Sequence, residues 1–175
     1  LDASKMGVPQ KRRRVFFIAL RNDLAPKFME QIDMFQEAPK LELNFNEKPI
    51  LFKEFRDALG SKRNTERQGL ILKSFKNGDK DISDINMRIN NKNSGFNANI
   101  IYDDNIVNTI DSKGEKYRAF DLLHFTDKDF LLSGSYPLDY DFIKTRPSYL
   151  IGMSVPPVMV ANIATEIYNQ WISKF

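Results

Sequence analysis

Gln10, Arg12 and Arg14 alternate along Gly7-Val8-Pro9-Gln10-Lys11-Arg12-Arg13-Arg14-Val15. In extended backbone successive side chains point to opposite sides, so these three share one side while Lys11 and Arg13 take the other. A carboxamide and two guanidiniums together suit the gripping of phosphates and of a nucleotide edge. The same pattern suits an edge strand guarded by charge, and residue types alone leave the two readings level. Other chemistry is sparse. There is no cysteine and a single histidine, His124. That excludes disulfide frameworks, thiolate metal sites, cysteine nucleophiles and multi-histidine metal sites within these residues. His124 stands in Leu122-Leu123-His124-Phe125 and reads as a partly buried, hydrogen-bonded side chain. The carboxylates Asp103-Asp104 and Asp139 with Asp141 have no ligand set around them; they read as solvated turns, and no metal is expected. No two of the eight glycines lie within three positions of each other, so no glycine-rich phosphate loop exists.

These groups must be positioned by something. Val15 to Leu20 (VFFIAL) is an unbroken apolar run that reads as a strand covered on both faces, anchoring the backbone that carries the cations. Lys53 to Leu59 reads as a short helix stopped by Gly60, and 61–85 as loops with strand-like pieces such as Leu70-Ile71-Leu72. Asparagine is dense between 86 and 108, which suits loops between short strands; amides reading base edges are the functional alternative. Thr126 and Asp129 are spaced as a capping box before Phe130-Leu131-Leu132, with Gly134 and Pro137 to end that helix. Near the C-terminus Met159, Ile163, Ile167 and Trp171 recur every four residues, beside a second row of Val160, Ala164, Tyr168 and Ile172. This is an amphipathic helix, with Pro156 and Pro157 in its first turn and Ser154 as N-cap. Its stripe needs a surface, and the sequence offers no second long amphipathic helix to supply one. Gly152 and Ser154 before that helix suit an anion site or an ordinary cap.

In bulk terms, 175 residues with 42% hydrophobic content can build a core. A net charge of +3 and a pI near 9.0 do not by themselves indicate nucleic acid; the contiguous Lys11 to Arg14 matters more. No apolar run approaches the roughly 20 residues of a membrane helix, and no signal peptide is visible. The sequence starts at Leu1, which suggests processing or a piece of a longer chain.

Three stretches taken together carry a resemblance. Gly7-Val8-Pro9-Gln10-Lys11-Arg12-Arg13-Arg14-Val15 resembles the eighth sequence block of DNA cytosine-5 methyltransferases, whose core is Gln-x-Arg-x-Arg. Thr126-x-x-Asp129 followed by Tyr136-Pro137 and Tyr140 is similar to the ninth block, and Gly152-Met153-Ser154-Val155-Pro156-Pro157 to the tenth. Their order is the family's, and the long gap between the first two is where the family keeps its target-recognition region. Thr109-Ile110 resembles the Thr-Leu pair of a DNA-contacting loop. Lys128, Asp129, Leu132 and Met153 depart from the family's usual Arg, Glu, Arg and Asn.

The resemblance implies an enzyme that flips a cytosine out of duplex DNA, attacks it with a cysteine and moves a methyl group from S-adenosylmethionine to carbon 5. Arg14, supported by Arg12, would serve the flipped base; Gln10, Arg12, Arg14, Thr109 and Lys113 would contact DNA; Ser154 and Val155 would border the cofactor. The Pro-Cys, catalytic Glu and cofactor-loop blocks all precede the eighth block in this family. The expectation is therefore a C-terminal part, inactive alone, which needs an N-terminal catalytic part of the same or a split enzyme. Restriction-modification in a bacterial or phage cytoplasm is the expected setting. The chain itself should be α+β, belonging to an α/β methyltransferase. Residues 1–23 would end the catalytic domain, 24–143 would form a β-rich target-recognition domain including the ninth-block helix, and 144–175 would return to the catalytic domain. The alternatives are a stand-alone sequence-selective DNA-binding module and a degenerate, non-catalytic partner.

Overall fold

A computed structural model describes residues 1–28, 40–60, 62–93, 98–112 and 115–174. Thr65 opens helix α1 (Glu66–Leu72): its hydroxyl accepts from the Gln68 N–H at 3.4 Å, and the Gln68 side chain accepts from the Thr65 N–H at 2.8 Å. This reciprocal cap makes Leu70 to Leu72 helical instead of strand-like, overriding their local apolar run. Helix α2 (Ile82–Asn90) starts at Asp81, whose carboxylate accepts from the Ser83 N–H at 2.8 Å. It ends at Asn91 in left-handed conformation, φ 52°. Asparagine's tolerance of that region thus terminates a helix where loops between strands were expected. Leu72 of α1 and Ile82 and Ile85 of α2 pack on Ala98, Ile100 and Tyr117.

One ion pair ties α2 to the turn before it. Arg88 donates to both carboxylate oxygens of Asp79, at 2.6 and 2.9 Å, and to the Ser74 carbonyl at 2.7 Å. These hydrogen bonds hold the Asp79 carboxyl below its usual range. A carboxyl lowered in the folded state contributes stability above its unfolded pKa and loses it as pH falls through the folded value. Asp79→Asn is therefore expected to flatten the loss of folding stability seen below about pH 4. Urea midpoints measured between pH 2 and 7 check this.

Strand β1 (Ala98–Ile101) pairs in parallel with β2 (Glu115–Arg118), Ala98 opposite Glu115. Alternation sends Ile100 towards α1 and α2 and Ile101 into a second core with Phe52, Val107, Ile110, Phe125 and Phe130. Helix α3 (Asp127–Ser133) closes that core. Among the described residues of 40–143, regular structure is α1, α2, α3 and this one short sheet, so the region is mixed where a β-rich one was expected. The helix expected over 53–59 shrinks to a single 3-10 turn, Phe52–Glu54. The Asp57 N–H donates instead to Asp129 at 2.7 Å, and the Asp57 carbonyl accepts from Arg118 at 2.9 Å. Tertiary partners take the groups that a helix would have paired.

Val15 to Leu20 is extended but has no strand partner among the described residues. Val15 and Phe17 are 80% and 97% exposed, while Phe16 and Ile18 pack inward. One face is covered, not both. The covering comes from α5 (Pro157–Gln170), whose Met159 and Ile163 are buried with Ala3, Met6 and Val8. The first apolar row found its surface in the N-terminal segment; Val160, Tyr168 and Ile172 of the second row stay largely exposed. An unforeseen helix, α4 (Pro147–Met153), precedes it, and Ser154 in extended conformation ends α4 instead of capping α5. By length and composition alone Pro147–Gln170 is apolar enough to cross a membrane. Its backbone breaks at Ser154 to Pro156, and Met159 and Ile163 pack into the protein.

Candidate functional site

Four segments meet at Gln10 and Arg12. The Lys11 N–H donates to the Val107 carbonyl at 2.9 Å, which lays residues 107–110 beside the cationic stretch. Gln10 accepts from the Ile110 N–H at 3.1 Å and donates through Nε2 to the Ser133 carbonyl at 3.1 Å, at the end of α3. The Arg12 guanidinium donates to Gln10 Oε1 at 3.4 Å and to the carbonyls of Ile110 at 2.8 Å, Gly152 at 2.8 Å and Ser154 at 2.7 Å. Gln10 is 0% and Arg12 1% exposed. A buried cation is tolerated when its donors are met; here both terminal nitrogens find acceptors, while Nε is buried without a hydrogen-bond partner among the described residues. Burial first, then the nearby Arg14 charge, lower the Arg12 pKa, with Tyr136 acting the other way. Guanidinium remains cationic regardless.

The contact between the 152–154 turn and the 110–112 segment is close enough to require glycine. A Cβ on Gly152 would collide with the main chain of Asp111 and Ser112. Backbone cannot swing aside, so Gly152→Ala is expected to cost about 3 kcal/mol. Gly69, inside α1, has nothing within 4 Å of such an atom. Gly69→Ala should instead stabilise by roughly 0.5–1 kcal/mol through helix propensity. Urea denaturation of the two variants side by side reads both signs.

Of the three alternating side chains, Arg14 is the one that reaches solvent. It is half-buried, and among the described residues its Nη1 donates only to the Arg13 carbonyl, at 2.7 Å. Its backbone is held by Leu1, with N–H to carbonyl distances of 3.0 and 2.9 Å. It borders a cavity of about 670 Å³ shared with Asp2, Lys5 and Phe45. Thr109 is exposed, and its hydroxyl donates to the Lys11 carbonyl. Lys113 lies outside the described residues. Ser154 and Val155 are half-buried. The Ser154 hydroxyl donates to Ile151 at 3.1 Å and its carbonyl is taken by Arg12, while Val155 packs on the cluster of Met6 and Met159.

The helix that presents Ser133 to Gln10 is itself secured by the expected capping box. Asp129 N–H donates to Thr126 Oγ1 at 3.1 Å, and Thr126 N–H to Asp129 Oδ2 at 2.9 Å. Asp129 is fully buried and lies 3.5 Å from the guanidinium of Arg118, also buried. Arg118 in turn donates to Asp121 and lies 4.9 Å from the centre of the Phe120 ring, on which Arg56 also stacks at 3.9 Å. Arg118 and Asp57 had no signal in the sequence beyond a cation lodged between Tyr117 and Ala119. His124 is half-buried, with Nδ1 3.2 Å from the Phe125 carbonyl, and burial lowers its pKa. No cluster of three His, Asp or Glu suited to a metal ion occurs among the described residues.

The site therefore joins the cationic stretch, the 107–110 loop, the end of α3 and the turn between α4 and α5 through buried Gln10 and Arg12. Compared with known proteins, residues 1–169 match the family model of C-5 cytosine-specific DNA methylase. No curated protein matches the chain.

Proposed function

With that match covering nearly its whole length, the chain belongs to the C-5 cytosine-specific DNA methylase family, and we propose that it is the C-terminal, DNA-recognising part of a DNA cytosine-5 methyltransferase. The family's substrate is cytosine in DNA, and its methyl donor is S-adenosylmethionine. What carries the proposal is the convergence at Arg12, where the Gln-x-Arg-x-Arg stretch, the Thr109-Ile110 loop and the Gly152 to Ser154 turn are hydrogen-bonded to one side chain.

Gln10 and Arg12 act as positioning residues: the Gln10 amide and the two terminal nitrogens of Arg12 are bonded within the protein, and they fix what surrounds them. Arg14 is the residue free to serve the reaction. A cytosine ring cannot be reached inside the stack, so it must be extruded. Addition of a thiolate builds negative charge on the ring, and a guanidinium held beside it stabilises that charge. The 175 residues contain no cysteine. The thiolate is supplied by an N-terminal catalytic part, without which this chain transfers no methyl group. Thr109, on a loop pinned to Lys11, would contact DNA, as would Lys113.

Ser154 and Val155 fit one wall of a cofactor site: they are half-exposed, and the Arg12 bond fixes their backbone. S-adenosylmethionine held there supplies an electrophilic methyl group. The exposed row Val160, Tyr168 and Ile172, with Phe17 of the unpaired extended segment, is the surface that the catalytic part would cover.

Titrating the chain into a matching catalytic part, with duplex DNA and labelled S-adenosylmethionine, tests the proposal. Methyl incorporation should rise and saturate at one chain per catalytic part. DNA binding by the chain with no incorporation at any ratio would leave the stand-alone module in its place.

A further inference from the structure

Between the 78–80 turn and the 102–108 loop lies a groove of about 560 Å³, with Ile100 and Tyr102 in its lining. Lys11, Lys80, Asn105 and Asn108 line it too. All four are exposed, and their side chains make no hydrogen bond or ion pair among the described residues. The one carboxylate at the groove, Asp104, is neutralised by Lys53 at 2.5 Å. We propose that this groove seats DNA, with Lys11 and Lys80 on phosphates and Asn105 and Asn108 reading base edges. It rests on the methyltransferase reading and names residues that would set its target sequence.

The chemistry matches the task. Ammonium groups are point charges suited to phosphate, and phosphate contacts set register without carrying sequence. A carboxamide offers a donor and an acceptor together, the pair that the major-groove edge of adenine requires. Both walls are held rigidly, which limits the entropy lost on binding. On one side the Lys80 carbonyl accepts from Ile100 N–H at 2.9 Å, and the Lys80 N–H donates to Asp84 at 2.9 Å. Tyr102 clamps the same turn, its hydroxyl accepting from Gly78 N–H and donating to the Asp79 carbonyl, each at 2.8 Å. On the other side Asn105 N–H donates to Tyr102 at 3.0 Å, its carbonyl accepts from Phe52 at 2.9 Å, and Val107 is tied to Lys11 at 2.9 Å. Asparagine in this region thus divides into two uses. Asn91 turns the chain, while Asn105 and Asn108 present unspent amides beside two cations.

The test is duplex selection from a randomised pool by the 175-residue chain, followed by salt titration of the selected site. Lys11→Ala with Lys80→Ala should reduce the slope of log K against log salt by about 1.8, at roughly 0.9 per phosphate, with the selected sequence unchanged. Asn105→Ala and Asn108→Ala should keep that slope and each lose at least about fivefold preference at one base pair. Unchanged slope in the double variant together with unchanged preference in the asparagine variants overturns the groove, as does absence of duplex binding by the wild-type chain at low salt. Methyl transfer by the complemented pair is scored separately. Transfer at an unchanged site by Asn105→Ala with Asn108→Ala removes the groove and leaves the enzyme standing. No transfer by the wild-type pair removes the enzyme, while the binding data still decide the groove.

Discussion

Arg12→Ala is expected to destabilise the chain by about 4 kcal/mol, enough to unfold a domain of ordinary stability under mild conditions. Three carbonyls, of Ile110, Gly152 and Ser154, lose their donor at once, and Gln10 Oε1 keeps only the Ile110 N–H. A hydrogen bond to a charged group contributes about 1.5–3 kcal/mol, and a buried acceptor left without a partner costs its full desolvation. These contributions do not add, because the same segments relax together, so the total lies well below their sum. Removing a side chain that is 1% exposed also leaves a void. Lysine restores a charge at one point and cannot span carbonyls from two segments, so Arg12→Lys should recover less than half of the loss. Arg13→Ala is the matched comparison: its ion pair with Asp2 spans 3.4 Å with the arginine 89% exposed, and it should change stability by less than about 0.5 kcal/mol. Urea unfolding of the three variants reads this directly. An Arg12→Ala midpoint within 1 M of wild type would show that the four segments hold together without it.

Arg14→Ala has the opposite signature. Within the complemented pair it should lower turnover by about 100- to 1,000-fold, the usual effect of removing one donor that meets charge developing in a transition state. Its stability should barely move, since the side chain is half-exposed and its hydrogen bond is to the Arg13 carbonyl beside it. Arg14→Lys should restore part of the rate through charge while lacking the planar pair of donors. The separation of the two arginines matters. Arg12 would lower activity by unfolding the chain, and Arg14 would lower it with the fold intact. Normal turnover by Arg14→Ala would favour the reading in which the chain is a non-catalytic partner.

What the sequence disclosed was local. The Thr126–Asp129 box and the four-residue spacing of Met159, Ile163, Ile167 and Trp171 each depend on neighbours along the chain, and both elements formed. Alternation correctly set Gln10 and Arg12 on one side, but it could not tell a side chain offered to DNA from one spent on carbonyls 98 to 142 residues away. The same limit explains Val15 to Leu20. An apolar run indicates burial and does not say how many faces the protein covers, and Phe17 is left bare. Leu70 to Leu72 is strand-like as an apolar run, but the reciprocal cap of Thr65 and Gln68, three residues apart, makes it helical. Arg118 with Asp129 and Asp57 was invisible for a different reason. Their partnership joins residues brought near by the second core, and no spacing rule reports it.

The central claim is that this chain completes an enzyme acting on carbon 5 of cytosine. The most direct measurement is nucleoside analysis of duplex DNA incubated with S-adenosylmethionine and the chain, the catalytic part, or both. The account predicts 5-methylcytosine from the pair and none from the chain alone. Methylation of adenine, methylation on the exocyclic nitrogen of cytosine, or no modified base from a pair that binds DNA would contradict it.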